Sequence, residues 1–381
     1  MPSTGGAARG SVIVHVFGKT DVGRTREHNE DAFVVADLSA DDASLQPSVR
    51  THTAGDRGSL FMVADGMGGA AAGEIASEMA TAIVLRELRR DWLRHANPTA
   101  DAFASALKHA ATVANAEINA FAGNHPENRG RGTTATIAGL LGDTLYLAQV
   151  GDSRAYLVRD GVARQITKDQ SLMQKLVEAG EITEEEAEHS ERRNIILQAL
   201  GPEATVKIDL THQQLRRDDV LVLCSDGLSG QVSRDQIAEV VRDEPDLMHV
   251  CRALIDLANG AGGPDNITVI AARFDGQGLV AASDADEVGH RVFPLADAGS
   301  TPPMGVDRVV DEDSQRVTMP VHAVTRDTVP VAADEESPSL EGPVVSEARR
   351  ARGQFAQRVL LGLLFVVVLL SAAWWLFASR D

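Results

Sequence analysis

The chain reads as an α+β protein in which two stacked, mainly antiparallel sheets lie between layers of helix. Three features carry that reading. Short apolar segments pair around tight turns, with Thr133–Leu141 and Thr144–Val150 flanking Gly142-Asp143, and Ala155–Arg159 and Val162–Ile166 flanking Asp160-Gly161; two-residue turns rich in Gly and Asp mark hairpins. Long helical periods run over Ser77–Leu93 and Ala104–Phe121, enough to cover the outer face of a sheet. Further continuous apolar runs, four to eight residues long, read as strands buried on both faces.

In chain order, Val12–Phe17 and Phe33–Ala36 are the first expected strands, followed by the continuous apolar strand Leu60–Ala64. The two long helices come next, then the two hairpins. Val220–Cys224 and Ile267–Arg273 are later buried strands, and helical periods over Asp235–Val241 and Leu247–Asn259 lie between them. Hairpin connectivity favours antiparallel sheets over a doubly wound parallel one. The folded body is expected to span residues 11–274, after a polar N-terminus, 1–10, expected to be disordered.

Residues 275–348 change character: Asp, Glu and Pro recur and no apolar period persists, the composition of a disordered acidic linker. A flexible chain of roughly 70 residues spans about 45 Å. Three similar snatches recur in it, at Thr301-Pro302-Pro303, Thr318-Met319-Pro320 and Thr328-Val329-Pro330, and read either as phosphoacceptor or docking motifs or as composition bias. Residues 349–358 are basic, with Arg349, Arg350, Arg352 and Arg358. Val359–Ala378 then carries no charge. Twenty helical residues reach about 30 Å, the thickness of the hydrocarbon core. Arginines before the segment, and Trp374 and Trp375 near its far end, predict one transmembrane helix with the body on the cytoplasmic side.

The 381 residues carry a net charge of -19. That sign excludes a general nucleic-acid binder, which needs a basic face. Cys224 and Cys251 form no C-x-x-C pair, so neither a zinc site nor a dithiol motif is indicated.

The chemistry concentrates in aspartates placed at the ends or turns of apolar segments: Asp31 in N-E-D-A-F, Asp65 in M-V-A-D-G-M, Asp226 in L-C-S-D-G and Asp265 in G-P-D-N-I. A carboxylate at the edge of a core is unfavourable unless a cation meets it. Strand, small residue, Asp, Gly occurs twice, at Asp65-Gly66 and Asp226-Gly227, and the Gly66 carbonyl is itself a hard ligand. Together they predict an oxygen-ligand metal centre at a sheet edge.

Six stretches in order resemble the bacterial metal-dependent protein phosphatases of type 2C. They are Thr20–Gly23 through Arg26–Ala32, Val63–Gly69, Gly130–Thr134, Val150–Arg154, Ser225–Leu228 and Gly263–Thr268. The resemblance covers residues 11–274. It implies a four-layer α-β-β-α sandwich with two Mn²⁺ or Mg²⁺ ions between the sheets, and a metal-activated water that hydrolyses phosphoserine and phosphothreonine. By position it makes Asp65 the bridging ligand, the Gly66 carbonyl a ligand of one ion, and Asp226 and Asp265 ligands of the other. Glu30 and Asp31 would hold metal-bound waters, Asp152 would share a third ion with Asp226, and Arg26 would grip the substrate phosphate. The partners implied are phosphorylated proteins and an opposing serine/threonine kinase.

Two positions depart from that pattern. Met67 stands where some members carry a histidine proposed as general acid, and it has no proton to donate; His28 is the nearby imidazole. Arg131 stands where a methionine is common. Ser171–Gly201, with an amphipathic turn at Leu172, Leu176 and Val177 and an acidic run Glu184–Glu188, matches the flap beside the active site, or else is a solvated helical surface. Two other functions compete: a phosphoprotein-binding module without turnover, and a phosphatase for small phosphate esters.

Overall fold

The computed structural model describes residues 10–40, 51–68, 72–96, 98–124, 132–188, 190, 192–283 and 285–295. The described strands form two six-stranded sheets. The first has the order β3-β1-β12-β11-β8-β9, with β1 Val12–Asp21, β3 Thr51–Ala54, β8 Arg154–Arg159, β9 Val162–Gln165, β11 Val220–Cys224 and β12 Ile267–Asp275. The second has the order β10-β7-β6-β4-β2, with β2 Asp31–Asp37, β4 Ser59–Met67, β6 Ala135–Leu141, β7 Thr144–Val150 and β10 Asp209–Gln214; the short β5, Gly132–Thr133, pairs with β4. Every strand pairing described is antiparallel.

Three apolar clusters show how the layers pack. Val14, Val16, Phe61, Val63, Leu145, Leu147, Leu221, Leu223, Ile270 and Phe274 come from both sheets and fill the space between them. Phe61 and Phe274 meet edge to face there, ring centres 6.1 Å apart, a favoured aromatic geometry. The other face of the second sheet packs on α1, Ala72–Glu87, and α2, Ala100–Asn124, through Leu60, Met62, Ile137, Val84 and Leu107. The other face of the first sheet packs on α6, Arg234–Asp243, and α7, Leu247–Gly260, through Val222, Val269, Ile237 and Leu254. Central strands are therefore buried on both faces, which is why they read as unbroken apolar runs. A π-helical turn, Leu88–Trp92, ends the first long helical period and seats Trp92 in the core.

Two strands have no counterpart among the expected ones. β3 (Thr-His-Thr-Ala) and β10 (Asp-Leu-Thr-His-Gln-Gln) are the outer strands of their sheets, so each needs few apolar residues.

The expected boundary at 274 is corrected. After β12 the chain turns back along the body as a strap, described over residues 276–283 and 285–295. Leu279 is 2% exposed and enters the inter-sheet cluster. Arg217 N–H donates to Val280 O, His212 N–H to Arg291 O, and Phe293 N–H to Leu210 O, so the strap pairs with the free edge of β10. Phe293 packs edge-on against Tyr146 and His212, and Asp286 pairs with Arg216. Isolated anchors in a polar segment give no period, so this stretch reads as linker in the sequence. Among the described residues no helix is long and apolar enough to cross a membrane. The expected span 359–378, the basic segment 349–358 and the linker threonines lie outside the described residues.

Candidate metal centre and active site

One end of the sandwich collects two crossings between the sheets and the ends of three further strands. β1 ends at Asp21 and the chain crosses to β2, carrying Arg26, Glu30 and Asp31. β7 ends at Val150 and crosses to β8, carrying Asp152. β4 runs out through Asp65-Gly66, β11 into Asp226 at the start of the short helix α5, Asp226–Ser229, and β12 begins just after Asp265-Asn266. All eight residues expected at the site are therefore delivered to this end.

Local packing explains the small residues beside the carboxylates. A Cβ on Gly66 would lie 2.2 Å from the Gly73 carbonyl oxygen, and one on Gly227 would lie 2.0 Å from the Asn266 carbonyl oxygen, so another backbone occupies the side-chain space at each D-G pair. Thr133 and Thr134 clamp the Asp65 backbone. Thr134 N–H and Thr133 Oγ1 both donate to Asp65 O at 2.9 Å, and Asp65 N–H donates to Thr134 Oγ1 at 2.9 Å. Ser77 Oγ donates to Glu30 O at 2.6 Å, and Gly66 N–H donates to the same carbonyl at 3.1 Å.

Asp31 opposes Asp65 across the β2–β4 pair. Its Oδ2 accepts hydrogen bonds from Ser225 Oγ at 2.7 Å and Thr268 Oγ1 at 2.6 Å, both borne by the other sheet. Its Oδ1 is buried without a hydrogen-bond partner among the described residues, and so is Oδ1 of Asp152. Arg26 Nη2 donates to Asp265 Oδ2 at 2.7 Å from the exposed side of the cluster.

Crowded like charges set the electrostatics. Burial, and then the charges of Asp226 and Asp265, push Asp31 up to about 7, against the pull of its two hydroxyl donors. Burial with Asp226 and Asp169 pushes Asp152 up to about 8. Asp65 stands well above the ordinary carboxylate value because it is desolvated and faces Asp31, Asp226, Asp152 and Asp265. Asp226 is raised by burial and Asp265, less the effect of a hydrogen bond with Asp65. Arg26 is lowered by partial burial but raised overall by Asp265, Glu30 and Asp65.

These residues fit a divalent cation. The orphaned buried carboxylate oxygens, and the burial and mutual repulsion that favour protonation of these aspartates, are what a hard ion would relieve, and the donor set is wholly oxygen. A second acidic grouping, Glu87, Asp91 and His109, differs: Arg86 and Arg90 already pair with Glu87.

The remaining expectations divide. Met67 follows the carboxylate on β4, half-buried, with its backbone opposite Gly132. His28 is exposed, and its carbonyl ties the loop down by accepting from Asn266. Arg131 lies outside the described residues. The expected flap contains α3, Leu172–Glu178, and α4, Glu184–Glu188. Its base is bound to the Asp152 turn, since Gln170 N–H donates to Gly151 O at 2.9 Å and Gly151 N–H to Gln170 Oε1 at 3.0 Å. A groove of about 390 Å³ opens in the flap between Met173, Leu176, Ile182 and Arg192, and no aspartate of the cluster lines it. Ser225, Thr268, Asn266 and the Thr133-Thr134 pair were not assigned roles from sequence. Their signal is position inside the matched stretches: Ser225 and Asn266 adjoin a carboxylate, Thr268 lies three residues after Asp265, and the Thr133-Thr134 pair sits in a stretch with no acidic residue.

The family model for protein phosphatase 2C matches residues 34–267. The chain belongs to the protein phosphatase 2C family. Among similar proteins, the serine/threonine phosphatase stp of Listeria monocytogenes is 36% identical over 263 residues, 69% of this chain and 96% of that protein. The serine/threonine protein phosphatase PstP of Mycobacterium tuberculosis is 39% identical over 266 residues, 70% of this chain and 46% of that protein. The crystal structure of the M. tuberculosis phosphatase PstP/Ppp superposes with a TM-score of 0.58 at 36% identity, covering 69% of this chain and 99% of that one. The catalytic domain of PstP in complex with two manganese ions gives a TM-score of 0.56 at 36% identity, over 69% of this chain and 99% of that chain. For this phosphatase 2C chain the α+β fold expected from the hairpins and long helices is borne out.

Proposed function

We propose that this chain hydrolyses phosphoserine and phosphothreonine in proteins, with Arg26 gripping the phosphate beside a centre for Mn²⁺ or Mg²⁺. The observation that carries the reading is the convergence of five aspartates and one arginine at a single end of the sandwich, within a chain of the protein phosphatase 2C family. A relative of this fold binds two manganese ions, which supports the same class of cofactor here. Asp65, the Gly66 carbonyl, Asp226 and Asp265 are the assigned ligands. Asp152 is assigned to a third ion, and Glu30 and Asp31 to the waters around the pair. When bound, the ions supply an activated water and positive charge for the phosphoryl oxygens.

The chain's own residues do the rest. Arg26 reaches the cluster from solvent, the side from which a phosphorylated segment arrives, and its guanidinium can donate two parallel hydrogen bonds to a phosphate. Ser225 and Thr268 fix one oxygen of Asp31 and leave the other buried without a hydrogen-bond partner among the described residues. Cys224 is buried and its thiol is pushed up to about 12 by desolvation, so it takes no nucleophilic part. By its chemistry the enzyme opposes a serine/threonine kinase.

The test uses residues 1–295, which retain the strap. With Mn²⁺ this fragment is expected to release phosphate from a phosphothreonine peptide, and Asp226→Ala to lower the rate at least about a hundredfold. Faster turnover of small phosphate esters than of the peptide would favour a metabolite phosphatase. Peptide binding without release would favour a sensor.

The uncharged segment 359–378, preceded by arginines and carrying Trp374 and Trp375 near its far end, supports a single span of the cytoplasmic membrane, with the catalytic body on the cytoplasmic side. A chain ending at 348 should then move from the membrane fraction to the soluble one; retention in the membrane pellet would overturn the anchor.

A further inference from the structure

Arg26 sits on a loop with no apolar anchor. Arg24, Thr25, Arg26, Glu27 and His28 are all exposed, yet the reading above requires the guanidinium to meet a phosphate at a fixed place. Side chains on such a segment are mobile unless polar bonds fix its backbone. We propose that Asn266 is the positioning residue of this loop, and that it sets Arg26 and Glu30 against Asp265; the inference rests on the phosphatase reading for its catalytic meaning.

The geometry is that of a clasp. Asn266 is 3% exposed. Its Nδ2 donates to Val22 O and to His28 O, both at 2.9 Å, and its Oδ1 accepts from Glu30 N–H at 2.8 Å. One amide thus joins the outgoing and the returning limb of the crossing from β1 to β2. The amide is itself held, because Asn266 N–H donates to Asp265 Oδ1 at 2.8 Å and Ile267 pairs with Asp21 in the sheet. Nearer the tip, Arg24 N–H and Thr25 Oγ1 donate to Gly263 O at 2.8 and 3.0 Å. Two donors and one acceptor on a side chain this short define an amide. A carboxylate of the same shape keeps the bond to Glu30 and turns both donors into repulsion against carbonyl oxygens.

The experiment compares full-length wild type with Asn266→Asp, Arg26→Ala and the double variant. Expected for Asn266→Asp is a rise of about tenfold in KM for p-nitrophenyl phosphate and in the inhibition constant for inorganic phosphate, the factor set by a lost buried hydrogen bond. kcat should fall less than KM rises. Without metal, and well below the variant's own unfolding midpoint, which the buried charge lowers, trypsin should cut after Arg24 and Arg26 several-fold faster. In the Arg26→Ala background the substitution should add less than about twofold to the phosphate inhibition constant. An undiminished effect there would mean that Asn266 acts through Asp265 or the fold, and unchanged trypsin rates would mean that it does not hold the loop; either overturns the proposal. Asn266→Ser, neutral and too short for both carbonyls, gives the same readouts if the charged variant does not accumulate. Absence of any wild-type turnover would sink the phosphatase reading, and the proteolysis would still decide the clasp.

Discussion

Asp65→Asn should abolish phosphatase activity and, without metal, make the protein more stable. The two effects have one cause. Asp65 ends a buried strand and faces four other aspartates, which with desolvation drive its carboxyl far above the ordinary value. Its backbone is clamped by Thr133 and Thr134, and no part of that clamp uses the carboxylate. The substitution therefore leaves the strand in register and removes the most crowded charge. Relief of like-charge repulsion on the order of 1 kcal/mol corresponds to a midpoint higher by about 2–4 °C for a body of this size. Calorimetry in a chelator measures it, and a variant less stable than wild type would show that Asp65 holds the fold together instead of straining it. With Mn²⁺ the order should reverse, because only wild type gains full binding energy. Turnover should fall by about a thousandfold or more, since the residue proposed to bridge both ions is gone. Stability given up at a site for the sake of chemistry is a common trade.

What could be read in advance follows from how each residue acts. Leu60–Ala64, Val220–Cys224 and Ile267–Arg273 were legible because a strand buried on both faces must be apolar throughout. β3 and β10 were not, because an outer strand is held by backbone bonds that leave little trace in composition. The strap is anchored by Leu279 and Phe293, fourteen positions apart in a polar stretch, so no window contains a pattern. At the site, carboxylates advertise themselves because charge at the end of an apolar run is costly. Asn266 does not: an asparagine before a strand reads as turn chemistry, and only the fold shows both limbs of a distant loop closing on its amide. Thr268 and Asp31 are likewise 237 positions apart in sequence and 2.6 Å apart in space.

The same cluster predicts how metal and pH act together. Folding raises the pKa of Asp31 to about 7 and of Asp152 to about 8, and raises Asp65 and Asp226 also, whereas in the unfolded chain each returns to about 3.9. Between about pH 4 and pH 8 the metal-free folded state thus holds more protons than the unfolded state. Its stability must fall as pH rises through that window, by about 1.4 kcal/mol per pH unit for each proton of difference. Below about pH 4 the opposite group takes over: Asp21, held low against its burial by Asn259 and the Gly23 amide, and Asp286, held low by Arg216, lose their favourable ionised state. The metal-free protein should therefore be most stable on the acid side of neutrality. A cation needs the carboxylates ionised, so its binding releases protons and strengthens with pH. At a hundred times its dissociation constant it adds about 2.7 kcal/mol, a rise of roughly 5–10 °C in midpoint. Thermal melts at pH 5.5 and 8.0, with chelator and with Mn²⁺, test this directly. The chelated protein should melt lower at pH 8.0, and the Mn²⁺ shift should be larger there. Equal shifts at the two values would mean that the ion binds elsewhere than among these aspartates, because the other carboxyl that burial raises among the described residues, Asp219, is already paired with Arg159.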